Sequence, residues 1–440
     1  MKLFNSLTNQ IEDFTLTDNS VKIYLCGVTV YDDCHIGHAR TIVVFDVLRR
    51  YFLSKNFDVE FIQNFTDVDD KIINKAKAEG TTYDLISKKY IKSYFSDFDA
   101  LNVIRSTYYP KVTEHIDDII KFIDGLIRKN KAYVGLNGVY YRVKSFRNYG
   151  KLSNKKGELL EAGARIEVDE SKDDPRDFAL WKFHPSEPLW DSPWGSGRPG
   201  WHIECSTMAI KFLGHNFDIH GGGQDLIFPH HENEIAQSEG LFDEAFAKTW
   251  LHIGMVTIKS EKMSKSIGNT IKISELLEKI DPNVIRLFCL SAHYSKPLDY
   301  SEGIIEEIKT RWGQIENAYY ELKYRIDNDL QYAQTTQFDY AVFKSECIGY
   351  YEEFEGFIEE NLNLSNALTS FFKLISKINS IFSIEVADKE KSCFIYELLE
   401  KFMFVLGLKI APDLGKHRDI IQELIKKRDT FRNFKNYEAA

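Results

Sequence analysis

The chain has 440 residues, of which 43% are hydrophobic and 28% charged, and its formal net charge is −10. This length and composition predict a globular protein of two or three domains, and the absence of a long apolar run or a signal peptide argues against a membrane span and secretion. The acidic charge does not exclude RNA as a partner, because a local basic face is enough to bind it.

The first predicted elements form a strand–loop–helix–strand unit. The β-prone run Lys22–Cys26 ends at Gly27 and a polar loop, which leads to the tetrapeptide His35–His38. Apolar residues then recur at helical spacing from Thr41 to Lys55, and Val59–Ile62 is the next predicted strand. This order predicts an α/β fold with a Rossmann-like parallel sheet.

The middle of the chain, residues 109–200, breaks this rhythm and is predicted to be an insertion between two halves of the sheet. It contains an amphipathic helix near Ile116–Lys129, a hairpin at Tyr133–Val143 and a stretch rich in Gly, Pro and Trp.

The α/β pattern resumes with Phe217–His220 and Leu251–Thr257, and beyond about Ser301 the sequence is almost entirely helical. The predicted divisions are 1–108 and 201–255 for the two halves of the sheet domain, 109–200 for the insertion, 256–300 for a loop-containing connection and 301–440 for an all-α C-terminal region.

The tetrapeptide His35–His38 at the start of the first helix is a candidate nucleotide site. Free N–H groups and the positive dipole end of a helix start bind phosphate, and Gly37 lets the backbone approach a ligand closely. The imidazoles of His35 and His38 add hydrogen-bond donors. Four residues alone are equally compatible with chance, and their position after a strand favours the functional interpretation.

A second candidate is the segment Lys262–Ser266. The ammonium groups of Lys262 and Lys265, on a loop that contains serine and glycine, suit the charge of transferring phosphates. The alternative is an ordinary solvated basic loop, which the segment by itself does not exclude.

Four residues form a possible metal site. Cys26 ends the first strand, Cys205 follows the segment Gly200–Glu204, and His230 and Glu234 are four residues apart and so share one helix face. Two thiolates, an imidazole and a carboxylate fit tetrahedral zinc. The alternative is that the cysteines are buried apolar thiols, since their spacing is not that of a zinc finger. The six cysteines of the chain do not form a disulfide framework.

Together, the early His-Ile-Gly-His and the late Lys-Met-Ser-Lys-Ser resemble the signatures of class I aminoacyl-tRNA synthetases, which bind ATP and stabilise the transition state of adenylate formation. The resemblance implies that His35 and His38 contact the triphosphate. It implies that Lys265, helped by Lys262, balances charge on the α-phosphate as pyrophosphate leaves. Further nucleotide contacts that it implies are Gly37, Ser264, Ser266 and, at the ribose, Asp225.

Within that class the sequence resembles the cysteinyl-tRNA synthetases over most of residues 1–310. The segments that carry the match are Phe4-Asn5, Tyr31-Asp32, Thr66-Asp67, Gly163-Ala164-Arg165, Leu180-Trp181-Lys182, Gly200 to Ser206 and His220 to Gln237. The resemblance implies one zinc ion per chain, held by Cys26, Cys205, His230 and Glu234 at the floor of the cysteine pocket. A zinc–thiolate bond distinguishes cysteine from serine, which packing alone separates by only ~1–3 kcal/mol.

The same resemblance implies that Gly27, Thr66 and Trp201 line the pocket for the substrate cysteine. For Trp201 the alternative is core packing. Cys34 and His231 lie next to proposed site residues and are interpreted as packing or supporting groups.

The implied substrates and partners are L-cysteine, ATP with magnesium, and tRNA(Cys), acted on by a cytoplasmic monomer. Residues 256–300 then correspond to the Lys-Met-Ser-Lys-Ser loop and stem-contact region, and residues 301–440 to helices that bind tRNA. The first candidate tRNA contacts are Lys426, Lys427, Arg428 and Arg432, for which the alternative is a solvated helix face. The sequence ends inside a predicted helix, which predicts a short or truncated anticodon-reading segment.

Two alternatives stay open at this stage. One is a zinc-dependent ligase that joins cysteine to a small amino sugar, which would lack tRNA-binding helices. The other is a non-catalytic RNA-binding paralogue, which should have lost a phosphate-binding or zinc-binding residue.

Overall fold

The computed structural model describes residues 1–16, 18–154, 172–258, 261–262, 270–328, 339–382, 389–410, 426–428 and 430, with the backbone alone at 261–262 and 382. The strands among these residues are β1 (Lys2–Asn5), β2 (Gln10–Asp13), β3 (Ser20–Thr29), β4 (Asp58–Thr66), β5 (Ala132–Val134), β6 (Gly138–Tyr141), β7 (Phe178–Phe183), β8 (Gly197–Pro199), β9 (Phe217–Gly223), β10 (Ala247–Ile253), β11 (Val256–Ile258), β12 (Glu261–Lys262) and β13 (Leu298–Tyr300). The α-helices are α1 (Ile36–Ser54), α2 (Asp70–Glu79), α3 (Tyr83–Ala100), α4 (Ile116–Arg128), α5 (Trp201–Leu213), α6 (Glu232–Phe242), α7 (Ile273–Leu277), α8 (Pro282–Leu290), α9 (Glu302–Asp327), α10 (Tyr340–Glu359), α11 (Leu364–Phe382) and α12 (Lys389–Leu406).

A four-stranded parallel sheet in the order β10–β9–β3–β4 carries the candidate site. The inner strand β3 pairs with both neighbours, so that Leu25 lies opposite Gly221 of β9 and Gln63 of β4. Ile23 and Leu25 are fully buried, as is typical of a strand inside a parallel sheet. The predicted α/β fold with a parallel sheet is confirmed.

The end of β3 differs from the prediction. The strand does not stop at Gly27 but continues to Thr29, with a shift of its register against β4 between Leu25 and Val28. A Cβ atom on Gly27 would lie 1.5 Å from the carbonyl oxygen of Asn64, so only glycine allows β4 to pass this closely. Gly27 therefore belongs to a bulged strand. The bulge depends on how β3 pairs with β4, and the local sequence pattern does not reveal that pairing.

Helix α1 begins at Ile36, so the tetrapeptide His35–His38 lies at a helix start as predicted, and histidines cap this start. His35 is the N-cap residue, and its Nδ1 accepts a hydrogen bond of 3.1 Å from the Gly37 N–H. In return, Nδ1 of His38 accepts a bond of 3.1 Å from the His35 N–H. The reciprocal bonds form a capping box built from imidazoles, a use of histidine that propensity rules do not anticipate.

The segment after α3 forms an antiparallel sheet in the order β5–β6–β7–β8, with α4 before it. The predicted hairpin is present as β5 and β6, and the predicted amphipathic helix is present as α4. This sheet leads directly into α5, because β8 ends at Pro199 and Gly200 is the N-cap residue of the helix.

Four helices, α9 to α12, follow β13 and confirm the all-α C-terminal character predicted from about Ser301. Phe354 of α10, Phe371 of α11 and Phe402 of α12 pack together, with ring centroids 4.6 and 5.3 Å from Phe402. Met1–Gly407 form one compact unit and Leu408–Ala440 a second, in which residues 426–428 are helical. No helix in the described part of the chain has the length and hydropathy needed to cross a membrane.

Buried charges join α1 to α8 and to the end of α12. The Asp46 carboxylate accepts hydrogen bonds from Arg50 at 2.8 Å and from Arg286 at 2.7 Å. Arg286 also donates to the carbonyl oxygens of Leu101 and Leu406. Since the charges are paired and hydrogen-bonded, their burial is tolerated.

Candidate metal centre and nucleotide cleft

The four residues predicted to bind metal come together in the fold. Cys26 lies in the bulged part of β3, Cys205 in α5, His230 in the turn before α6 and Glu234 in the first turn of α6. Their possible ligand atoms all lie within 4.8 Å of one another, and all four residues are buried. Residues that are 179 positions apart in sequence, Cys26 and Cys205, thus share one cluster.

The geometry of this cluster fits a tetrahedral zinc ion. The two sulfur atoms are 3.8 Å apart, and two sulfurs bound at about 2.3 Å to one tetrahedral zinc ion would be separated by about 3.8 Å. Glu234 Oε1 lies 3.5 Å from Cys26 Sγ and 3.1 Å from His230 Nε2. Two soft thiols with one imidazole and one carboxylate also match the ligand types that zinc prefers.

Burial sets the protonation of the cluster. It raises the pKa of the Cys26 thiol well above its usual range, and the adjacent Cys205 adds to the effect. It lowers the pKa of His230 well below its usual range, with further lowering by His202 and His220. His230 is therefore a neutral imidazole, the form that binds metal, whereas the Cys26 thiol must lose a proton to do so.

Sequence reasoning missed part of the histidine shell around this cluster. His220 lies 2.8 Å from Glu234 Oε2, and His231 Nε2 lies 3.2 Å from Cys26 Sγ. A second possible metal group, overlapping the first, consists of Cys26, His220, His231 and Glu234. The other ring nitrogen of His231 contacts His252 at 2.8 Å, so the predicted supporting residue is itself held in place. His220 begins the matching segment His220 to Gln237, but no local pattern indicates its contact with Glu234.

A cleft of about 360 Å³ extends from the cluster to the start of α1. Its lining includes Cys26, Gly27 and Trp201 as well as His35, Gly37 and His38 at the start of α1. Strand ends of a parallel sheet form such ligand clefts, so its location agrees with the fold. Of the four proposed metal ligands, Cys26 alone lines this space, which it shares with the nucleotide candidates His35, Gly37 and His38.

Free N–H groups were expected at the start of α1, but two of these groups already form hydrogen bonds within the protein. The Gly37 N–H donates to the His35 ring, and the Ile36 N–H donates to Ile271 O at 3.0 Å. The rings of His35 and His38 stack with centroids 3.8 Å apart. The cleft is thus lined by the imidazoles of His35 and His38 and by Gly37 in the first turn of α1. Asp225 lines the same space after β9.

Trp201 and Thr66 have different environments. The Trp201 side chain is 41% exposed and stacks on the His230 ring with centroids 4.1 Å apart, which argues against core packing. Thr66 is buried and donates a bond of 2.8 Å to Glu204 Oε2, and it is not among the residues that line the cleft. Burial raises the pKa of Glu204 well above its usual range. Thr66 therefore contacts a neighbour of Cys205, and the structure does not bring it to the cleft.

The late signature lies largely outside the described residues. Ser264, Lys265 and Ser266 are beyond them, and Lys262 is described only as backbone in β12. The chain that follows pairs with the early signature, because His35 and Lys272 form an antiparallel bridge and Lys272 Nζ lies 2.9 Å from Asp33 Oδ2.

Solved structures with a similar fold are tRNA synthetases. The methionyl-tRNA synthetase of Mycobacterium tuberculosis in complex with methionyl-adenylate has a TM-score of 0.67 at 15% identity, covering 94% of this chain and 95% of that one. The LeuRS–tRNA–LeuAMS ternary complex of Agrobacterium radiobacter K84 has a TM-score of 0.63 at 10% identity, covering 90% and 85%. At these identities the likeness defines the class of fold alone.

Sequence relatives define the family. The family described as tRNA synthetases class I (C) catalytic domain matches residues 13–310. The cysteine–tRNA ligase of Caldicellulosiruptor saccharolyticus is 46% identical over 445 residues, covering 100% of this chain and 94% of that protein. The cysteine–tRNA ligase of Thermodesulfovibrio yellowstonii is 43% identical, with the same two coverages. The chain therefore belongs to the cysteine–tRNA ligase family of class I tRNA synthetases.

Proposed function

We propose that this chain activates L-cysteine with ATP and transfers it to the 3′ end of tRNA(Cys), and that it selects cysteine through a zinc ion. The observation that carries this proposal is the buried cluster of two thiols, an imidazole and a carboxylate, one member of which, Cys26, lines a cleft together with His35, Gly37 and His38 at the start of α1. A metal ion would bind the sulfur of cysteine, and the start of α1 would bind the phosphates of ATP. Such a cleft suits a reaction between cysteine and ATP.

At the amino-acid end, Cys26, Cys205, His230 and Glu234 would hold the zinc ion. When bound, zinc supplies a soft Lewis acid that favours a substrate thiolate over the hydroxyl of serine. The exposed face of Trp201, stacked on His230, lies where it can cover the substrate side chain. Gly27 lets β4 pass close to β3 beside Cys26, because a side chain there would meet the carbonyl group of Asn64.

At the nucleotide end, His35, His38 and Gly37 would contact the triphosphate, which binds with magnesium, and Asp225 would contact the ribose. The cysteine carboxylate attacks the α-phosphorus, a bond to oxygen forms, and the bond to the departing pyrophosphate breaks. Lys265, helped by Lys262, would balance charge on the α-phosphate as this happens, and Ser264 and Ser266 would bind the nucleotide. The chain just after this signature, Ile271–Ile273, pairs with Cys34–Ile36. This pairing supports the assignment of both signatures to one site.

For the second step, the 3′ hydroxyl of tRNA attacks the carbonyl carbon of the adenylate, and AMP leaves. The helices α9 to α12 and the residues after them would bind the tRNA. Two features of the relatives support this: their name, cysteine–tRNA ligase, and their similarity to this chain over its whole length. This disfavours the amino-sugar ligase and the non-catalytic paralogue. A monomeric state and a cytoplasmic location stay predictions from the resemblance.

The test is ATP–pyrophosphate exchange with cysteine and, as control, serine. Exchange should require cysteine and should be at least about 1000-fold weaker with serine, beyond what packing alone provides. tRNA-dependent release of AMP then separates a tRNA ligase from an amino-sugar ligase. Equal exchange with both amino acids would contradict zinc-based selection.

A further inference from the structure

Arg40 is a fully buried arginine one turn after Gly37 on α1. Within the part of the chain that the structure describes, its guanidinium group donates hydrogen bonds to backbone carbonyl groups alone. Its Nη1 donates to Gly254 O at 2.9 Å and to Met255 O at 3.1 Å. Its Nη2 donates to His293 O at 3.1 Å and to Lys296 O at 2.6 Å. One guanidinium group thus holds two separate stretches of chain against α1.

The first of these stretches is a wall of the cleft. Gly254, Met255 and Val256 line the cleft where the chain passes from β10 to β11, and none of them is a proposed metal ligand. Arg40 binds the carbonyl groups of Gly254 and Met255 to α1. The second stretch backs this wall, because the Gly254 N–H donates to Tyr294 O and a Cβ on Gly254 would lie 2.3 Å from Lys296 O. No side chain can separate the two stretches, so Arg40 holds them as one layer.

We propose that Arg40 is a positioning residue for ATP, which fixes the Gly254–Val256 wall relative to the start of α1 and thereby shapes the nucleotide end of the cleft. This inference rests on the proposed function, since it assigns that end of the cleft to the nucleotide. Arg40 does not line the cleft and so touches no substrate; it acts through the backbone that it holds.

The arrangement requires arginine in particular. The planar guanidinium presents several donors in fixed directions, whereas a lysine ammonium is one point from which four carbonyls on two segments cannot all be reached. Burial lowers the pKa of Arg40 to about 10, so the group stays charged at neutral pH and its bonds stay charge-assisted. Without the guanidinium group, the buried carbonyl groups that it binds each lose a hydrogen-bond donor. The Gly254–Val256 segment is then no longer held against α1.

Arg286 provides a matched control. It is also fully buried and also donates to backbone carbonyls, those of Leu101 and Leu406, together with Asp46. None of these partners lines the cleft. A substitution of Arg286 therefore measures the general cost of losing a buried arginine on the fold, without a change at the cleft wall.

The experiment compares Arg40→Lys and Arg40→Met with Arg286→Lys in the full-length, metal-loaded protein. Thermal unfolding, metal content, the KM values for ATP and cysteine in pyrophosphate exchange, and equilibrium binding of a non-hydrolysable ATP analogue are measured. We expect the Arg40 variants to raise the KM for ATP and the analogue Kd by about tenfold or more, Met more than Lys, with metal content and the KM for cysteine within about twofold of the original. Arg286→Lys should lower the unfolding temperature and leave both KM values unchanged.

The proposal is overturned if the Arg40 variants change only stability, as Arg286→Lys does, or raise both KM values equally. It is also overturned if both Arg40 variants fail to fold while Arg286→Lys folds, because Arg40 would then serve the core. Absence of cysteine-dependent exchange in the unmodified protein would contradict the proposed function instead, and analogue binding would still decide the role of Arg40.

Discussion

Each ligand of the metal cluster is expected to be necessary on its own, because four close donors share one ion. Cys205→Ser and His230→Ala should lower zinc content from about one per chain to near zero and abolish cysteine activation. Metal analysis of the purified proteins checks this. Cys289→Ala is the control, since Cys289 is a fully buried thiol outside the metal groups found among the described residues. Zinc retained at full occupancy by Cys205→Ser would remove that residue from the site.

Zinc uptake should release protons and weaken as the pH falls. The pKa of Cys26 is raised by burial, and the pKa of Cys205 is raised because burial and nearby carboxylates outweigh the lowering effect of its hydrogen bond with Cys26. Both thiols are thus protonated at neutral pH and must deprotonate to bind metal. The apparent zinc affinity should fall about tenfold per pH unit for each of them, or about a hundredfold in total. Competition with a zinc indicator at pH 6.5 and 7.5 measures this, and a pH-independent affinity would contradict it.

At the scale of elements, the bulged strand β3 is the part of the fold on which the metal site depends most. Gly27→Ala should force β3 and β4 apart beside Cys26, because the new methyl group would meet the backbone of Asn64. We expect a loss of at least about 2 kcal/mol in the free energy of unfolding, together with reduced zinc content.

The matched control is Gly303→Ala in the first turn of α9, where a Cβ meets nothing within 4 Å. This variant should be as stable as the original or up to about 1 kcal/mol more stable, because alanine favours helix. Urea unfolding of both variants gives the comparison. Equal stability of the two would show that the bulge tolerates a side chain.

The sequence predicted elements better than it predicted how they meet. The parallel sheet, α4, the hairpin β5–β6 and the C-terminal helices follow from local periodicity, and they are present. The end of β3 was predicted wrongly, since it depends on pairing with β4. The pairing of Cys26 with Cys205 required the family resemblance, because spacing over such a separation carries no geometry. The buried bonds of His220 and Arg40 have no local signal at all.

At the scale of the whole molecule, the separation of amino-acid activation from tRNA binding gives the next prediction. A deletion from about Glu400 would remove the candidate tRNA contacts, but α12 continues to Leu406, and Phe402 and Leu406 are buried. Removal of the chain from Glu400 would therefore damage the core, so substitution is the better test.

Neutralisation of Lys426, Lys427, Arg428 and Arg432, of which Arg432 lies outside the described residues, should weaken tRNA binding and leave pyrophosphate exchange unchanged. Each lost phosphate contact should reduce the slope of log affinity against log salt by roughly one. Filter binding over a range of salt concentrations measures this, with Lys88→Gln, on an exposed lysine of α3, as control. Unchanged affinity and slope would remove these residues from the tRNA contacts.

The most direct test of the central claim is spectroscopic. The protein is loaded with Co²⁺ in place of zinc, and absorption is recorded as cysteine or serine is added without ATP. If the four-residue cluster holds the metal that selects cysteine, cysteine should add a sulfur-to-cobalt charge-transfer band beyond that of Cys26 and Cys205, and serine should add none. An unchanged spectrum with saturating cysteine, in a protein that still activates cysteine, would contradict the account.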